Sequence, residues 1–214
     1  MDMIKTLGDA GIIPVIVIDD IEKAVPLARA LVKGGLPVRE VTFRTACAAE
    51  AIAKIKAEVP GAVLIAGTVL RLEQLKAAKA AGAEACVAPG FDPGIVAAAR
   101  TMDMPFCPGV ATASELSQAL ALGCKMVKFF PAESAGGVKY IKDLLGAFRW
   151  TGVKFMPTGG VKLANVADYL AVPEIICCGG TWIAPKDAIQ SGDWATIEKL
   201  ASDAAQLAKK IKGL

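Results

Sequence analysis

Short runs of β-branched and other apolar residues, each bounded by Gly, Pro or Asp, recur along the chain. They are IIPVIVI from Ile12, VREVTFR from Val38, VLIAGTV from Val63, ACVAPG from Ala85, PFCPGV from Pro105, MVKFFPA from Met126, VKFMPTGG from Val153 and IICCGGTW from Ile175. Their starts lie roughly 20 to 27 residues apart. Between them run stretches such as CAAEAIAKIKAE, RLEQLKAAKAAG, SELSQALALG and ANVADYLA, whose apolar residues recur at helical spacing. Asp92-Pro93 reads as an N-cap with Pro in the first turn, and Thr112 with Glu115 reads as a capping box. Eight strand–helix units fill residues 1–214 with no linker left over, which predicts one domain. Nearly continuous apolar strands suit a parallel sheet covered by helices. The pattern therefore predicts an α/β fold, a (β/α)8 TIM barrel with a short N-terminal helix. An open doubly wound sheet is the alternative, weakened because no G-x-G-x-x-G follows the first strand.

Composition narrows the chemistry. The 24 Lys+Arg against 21 Asp+Glu leave a net charge of +3, and with 6% aromatic residues there is no basic tract interleaved with rings. A nucleic-acid partner is not expected. Mean hydropathy is +0.49, yet the longest uncharged run, Val59 to Leu70, falls short of the roughly 18–20 residues of a spanning helix. No membrane partner is expected, and no export signal is evident in the acid-bearing start MDMIKTLGD. The sequence contains no histidine, which removes Ser-His and Cys-His pairs, His-ligated zinc and an imidazole base. The six cysteines show no C-x-x-C spacing, and four lie in apolar strand runs, where they read as small core residues of a reduced, cytoplasmic protein.

A barrel takes its reacting groups from the C-terminal ends of its strands, so polar residues within the strand runs carry the information. In VREVTFR, strand alternation puts Glu40, Thr42 and Arg44 on one face and Val41 and Phe43 on the other. The second face should meet the helices, which turns Glu40 and Arg44 to the barrel mouth. They could equally form an internal structural ion pair. Lys128 in MVKFFPAE sits among apolar neighbours near the end of a strand. Such burial disfavours a charged ammonium and suits an amine that attacks a ketone to form a Schiff base, although a salt-bridge role is also open. Lys125 and Lys154 fall near strand starts, at the opposite rim, and read as structural. Strands seven and eight end in Pro157–Gly160 and Gly179–Trp182. Glycines there let backbone N–H groups approach an anion at helix N-termini, with the hydroxyls of Thr158 and Thr181 beside them, and barrels commonly hold phosphate at this rim. Thr68 and Pro89 end strands three and four, where they could shape the same mouth. Asp19 and Asp20 read as helix caps, and no metal is assigned.

With Glu40, Arg44 and Lys128 set side by side, GLPVREVTFR and GCKMVKFFPAESAG resemble the two signature regions of the bacterial 2-keto-3-deoxy-6-phosphogluconate (KDPG) / 4-hydroxy-2-oxoglutarate (KHG) aldolases. IPVIVIDDIEKAVPLARALVKGG, IAGTVL, PTGG and GGTW are also similar to that family in order and spacing, so the resemblance spans the chain. It implies a class I, cofactor- and metal-independent aldolase on a (β/α)8 barrel, typically a homotrimer. Such an enzyme splits KDPG, a small 2-keto acid phosphate, into pyruvate and glyceraldehyde 3-phosphate, and KHG into pyruvate and glyoxylate. Under the resemblance, Lys128 matches the Schiff-base lysine and Glu40 the general acid/base. Arg44 and Thr68 match the groups that hold the pyruvyl carboxylate. Gly159, Gly160 and Thr181 match the phosphate site, with Gly180 beside them; Thr158 matches a hydroxyl at the mouth, and Phe130 and Pro89 apolar walls. Two positions depart from the pattern: Thr181 stands where the family has serine, and Ala88 where SPG is expected. The rivals are KHG or the phosphogalactonate epimer as main substrate, a phosphate-binding isomerase using Glu40 without a covalent step, and a non-catalytic barrel scaffold.

Overall fold

The computed structural model describes residues 2–213. A first helix, α1 (Met3–Ala10), precedes β1 (Ile12–Ile16), α2 (Ala24–Lys33), β2 (Val38–Thr42), α3 (Ala48–Glu58), β3 (Val63–Gly67), α4 (Leu72–Ala80), β4 (Ala85–Val87) and α5 (Pro93–Thr101). The second half runs β5 (Phe106–Cys107), β6 (Gly109–Val110), α6 (Ala113–Ala121), β7 (Met126–Phe129), α7 (Gly137–Phe148), β8 (Lys154–Pro157), α8 (Val166–Leu170), β9 (Cys178–Gly180), α9 (Lys186–Ser191) and α10 (Trp194–Lys212). Every strand pair is parallel. The strands form a curled six-stranded sheet in the order β5-β4-β3-β2-β1-β9 and a three-stranded sheet in the order β6-β7-β8. Two isolated bridges, Phe155 to Ile175 and Thr158 to Gly179, join the two sheets on one side.

The run PFCPGV, expected as one strand, is divided at Pro108. Proline has no N–H to give to a ladder, so pairing lapses there and resumes at Gly109. The Pro108 carbonyl still accepts from the Lys128 N–H at 2.8 Å, which carries β6 into register with β7. A Cβ on Gly109 would lie 2.2 Å from the carbonyl carbon of Pro89, so only glycine allows this approach.

The two sides of the strands bury different cores. The larger packs helices against the outer face, with Ile16, Val41, Leu64, Phe129 and Phe155 fully or almost fully buried. The inner face is a separate cluster of Ile13, Val38, Ile65, Val87, Cys107, Met126, Met156 and Cys177, closed from below by Leu7 of α1. Both expected caps form: Asp92 accepts from the N–H groups of Gly94 and Ile95, and Thr112 and Glu115 make a reciprocal capping box. Cys86, Cys107, Cys177 and Cys178 are buried, and all six thiols are free. Burial pushes the Cys86 and Cys177 thiols up to about 12, so they behave as apolar fillers. Among the described residues, no helix is long and apolar enough to cross a membrane.

Arg39 was not marked by the sequence pattern. It shares the helix-facing side of β2 with Val41, is fully buried, and donates from Nη2 to the Leu36 and Pro37 carbonyls at 3.3 and 2.7 Å. Burial lowers its guanidinium to about 10.

Candidate active site

The inner face carries the site because a period of two turns charged residues onto it directly above the apolar layer. Val38 and Met126 belong to that layer, and two residues further along each strand stand Glu40 and Lys128. Both are almost completely buried, with relative exposures of 1% and 3%. The Lys128 Nζ donates to both carboxylate oxygens of Glu40, at 2.8 and 3.1 Å, across 88 residues of sequence. The ion pair between Glu40 and Arg44 that strand spacing allowed is not made; Glu40 pairs with Lys128 instead. The ammonium also lies 5.7 Å from the centroid of the Phe130 ring, over its face. Gly67 of the neighbouring strand makes room for the carboxylate, since a Cβ there would stand 2.2 Å from Glu40 Oε1.

The pair opens into a cavity of about 280 Å³ at the C-terminal ends of the strands. Its charged wall is Glu40, Lys128 and Arg44; its apolar wall includes Pro89 and Phe130; hydroxyls come from Thr68, Thr158 and Thr181, and backbone from Gly159, Gly160 and Gly180. The cavity thus brings together all the site residues expected from the sequence. Gly179, the first glycine of the expected GGTW turn, lines it as well, and so do Val15, Thr42 and Val161, which were not anticipated as site residues. Thr42 shares the face of Glu40, but its hydroxyl donates to the Ile16 carbonyl at 3.1 Å and ties β2 to β1.

Two threonines are held in costly states. Thr68 has φ of 58°, a left-handed conformation that a β-branched residue rarely adopts, and backbone strain of this kind collects at ligand sites. Thr158 Oγ1 is buried and has no hydrogen-bond partner among the described residues, leaving it free for a ligand oxygen. Gly159 and Gly160 have φ of 98° and 82°, which shape the turn after β8.

One expectation is corrected. The Gly-Gly pairs do not open helices: α8 and α9 start at Val166 and Lys186, several residues on. Consecutive positive φ at Gly159 and Gly160 keeps the chain out of a right-handed helix, and Pro185 precedes α9. Any anion held here meets turn amides rather than a helix end; the N–H groups of Gly160 and Thr181 have no protein acceptor among the described residues. Lys125 and Lys154 lie at the opposite rim, where Lys125 and Arg100 border another cavity, of about 360 Å³, with no buried charge pair. Asp20 caps the turn Ile21–Lys23, Asp19 pairs with Lys186, and no cluster of metal-ligating side chains occurs among the described residues.

An α/β protein with a buried lysine–glutamate pair at the C-terminal rim of a parallel sheet has the framework of a Schiff-base enzyme. The sequence profile of the KDPG and KHG aldolases matches residues 3–200, and the chain belongs to that family. It is 46% identical to the 2-dehydro-3-deoxy-phosphogluconate aldolase of Treponema pallidum (strain Nichols), over 95% of this chain and 96% of the relative. Identity to the KHG/KDPG aldolase of Escherichia coli (strain K12) is also 46%, over 95% and 94%. Among solved structures it is similar to the KDPG aldolase of Legionella pneumophila with pyruvate captured as a covalent carbinolamine intermediate. That similarity has a TM-score of 0.90 at 39% identity and covers 94% of this chain and 98% of the other.

Proposed function

We propose that this chain is a class I aldolase that cleaves KDPG to pyruvate and glyceraldehyde 3-phosphate, and KHG to pyruvate and glyoxylate. The observation that carries the reading is the buried contact of Lys128 Nζ with Glu40, at 2.8 Å, inside a cavity that also holds Arg44 and the glycine turns. Proton transfer along this hydrogen bond leaves a neutral amine and a carboxylic acid, the two forms that addition to a ketone uses. The amine adds to C2, the carbinolamine loses water with a proton from Glu40, and a protonated imine results. Glu40, now a carboxylate, takes the proton of the C4 hydroxyl; the C3–C4 bond breaks, its electron pair moves to the imine, and the aldehyde leaves. The enamine regains a proton at C3, and water releases pyruvate and Lys128.

Arg44 would hold the pyruvyl carboxylate through two parallel hydrogen bonds, with Thr68 beside it, which fixes C2 opposite the amine. Thr158, Thr181 and the turn amides at Gly159 and Gly160 form the phosphate end, with Gly180 lining it and Phe130 and Pro89 as walls. Thr181 keeps the hydroxyl that serine would offer. No cofactor or metal enters these steps.

The chain is read as one domain in which the strands close into a (β/α)8 barrel. Support comes from the bridges between β8 and β9 and from β5 and β6 being two parts of one strand on either side of Pro108. We read the protein as a cytoplasmic homotrimer with no nucleic-acid or membrane partner; the free cysteines suit the compartment, and the family suggests the assembly. The decisive experiment is mass spectrometry after borohydride treatment with pyruvate. The wild-type chain should gain one pyruvate-derived adduct on Lys128, and Lys128→Ala should gain none; an intact adduct in the variant would refute the assignment.

A further inference from the structure

We propose that Tyr169 and Glu133 are positioning residues for the phosphate end of the cavity, and through it set the preference for phosphorylated over unphosphorylated substrate. The inference rests on the aldolase reading above. Neither residue lines the cavity; they act on the turn that does.

Three successive carbonyls of that turn are engaged by residues that do not line the cavity. The Thr158 carbonyl accepts from the Ala132 N–H at 2.9 Å, and the Gly159 carbonyl from the Glu133 N–H at 3.0 Å. The Gly160 carbonyl accepts from Asn165 Nδ2 at 3.2 Å. In a trans peptide the C=O and the following N–H point in opposite directions. Fixing these carbonyls therefore turns the N–H groups of Gly159, Gly160 and Val161, all cavity residues, the other way. The Glu133 side chain then lies across Gly160 so closely that a Cβ there would fall 2.5 Å from Glu133 Cγ.

Tyr169 holds the far end of that side chain. Its ring is buried in α8, and its hydroxyl donates to Glu133 Oε1. Burial first, and then the carboxylate itself, raise the phenol above its ordinary value, so it remains a donor through the neutral range. Gly137, with φ of 66°, lets the backbone pass beside this contact. Without the tyrosine hydroxyl, the exposed Glu133 carboxylate is free to leave Gly160, and the turn loses its cover while Lys128, Glu40 and Arg44 keep their places.

The test is steady-state kinetics of the full chain with KDPG and with unphosphorylated KHG. In Tyr169→Phe, the loss of one charge-assisted hydrogen bond should raise KM for KDPG about tenfold and weaken inhibition by inorganic phosphate by a similar factor. The kcat for KDPG and both constants for KHG should stay within about twofold. Glu133→Ala, a surface change expected to fold, should behave as Tyr169→Phe does, and Glu133→Gln, which keeps an acceptor oxygen, should restore the wild-type ratio. An unchanged KM for KDPG in both Tyr169→Phe and Glu133→Ala, or equal losses on the two substrates, would overturn the proposal. A wild-type chain that releases pyruvate from neither substrate would instead overturn the aldolase reading.

Discussion

Lys128 and Glu40 meet where water hardly reaches, so each is the other's main source of charge compensation. Removing one partner strands the other, which makes the isosteric amide the informative change at position 40. Glu40→Gln should still form the borohydride-trappable adduct but slow turnover by about 10²–10⁴. Exchange of the pyruvate methyl protons with solvent, followed by NMR, should slow in parallel; exchange at the wild-type rate would assign the proton shuttle to another group. Gly67→Ala should act on the same carboxylate from behind, because the new methyl has no room beside Glu40 Oε1. A drop in kcat of about tenfold or more with an otherwise folded chain, seen by circular dichroism, is the expected result. Glu40 and Arg44 were legible because they interrupt an apolar strand run on the inward parity, and Lys128 because it stands among apolar neighbours near a strand end. Thr68 was legible by position, but its left-handed backbone is set by the packing of the mouth and leaves no mark in the sequence. Val15 and Val161 look like any strand or loop valine, and Arg39 stands on the parity that sequence reading gave to the helices.

Local signals decide where elements start more surely than where strands run. The capping box of α6 formed as spelled, with the Glu115 carboxylate accepting from the N–H groups of Ala111 and Thr112 and from the Thr112 hydroxyl. Burial pushes this carboxyl up, but those donors together outweigh it and hold the group below its ordinary value. A carboxylate lowered in the folded state adds stability that is fully present above its unfolded pKa, about 4.3, and is lost as pH falls through the lower folded value. Thr112→Ala should cost about 1 kcal/mol in urea unfolding at neutral pH. The difference should shrink on acidification below about pH 4, where the carboxylate is neutralised in both chains. A cost that does not change with pH would assign it to the hydroxyl alone. Pairing, in contrast, depends on partners distant in sequence. The apolar run from Ile175 enters β9 only at Cys178, because Ile175 bridges Phe155 while Cys178 is the first residue in register with β1.

At the scale of the whole molecule, the strand–helix count and the two-sided apolar strands were enough to predict a parallel α/β architecture. How the ends of the chain are tied together was not. Lys212, near the end of α10, reaches back to donate to the Gly8 carbonyl in the last turns of α1 and to the Ile176 carbonyl ahead of β9. One ammonium thus joins the first helix, the last helix and the sheet, on the side of the molecule where Leu7 closes the inner core. Half-burial lowers the amine, yet its carbonyl partners would be left without their charged donor if it were removed. The sequence shows only a lysine in a basic C-terminal turn, and such lysines are commonly solvated. Lys212→Met keeps the aliphatic stem and deletes the ammonium, and should cost about 1–3 kcal/mol. For a chain of this size that corresponds to a fall in Tm of about 2–4 °C per kcal/mol. The amides of α1 should exchange with deuterium faster, because the contact holding it to the rest of the molecule is gone. The cavity is at the other ends of the strands, so kcat and KM for KDPG should be unchanged; a variant with wild-type Tm and unchanged α1 exchange would show that Lys212 does not fasten the chain ends.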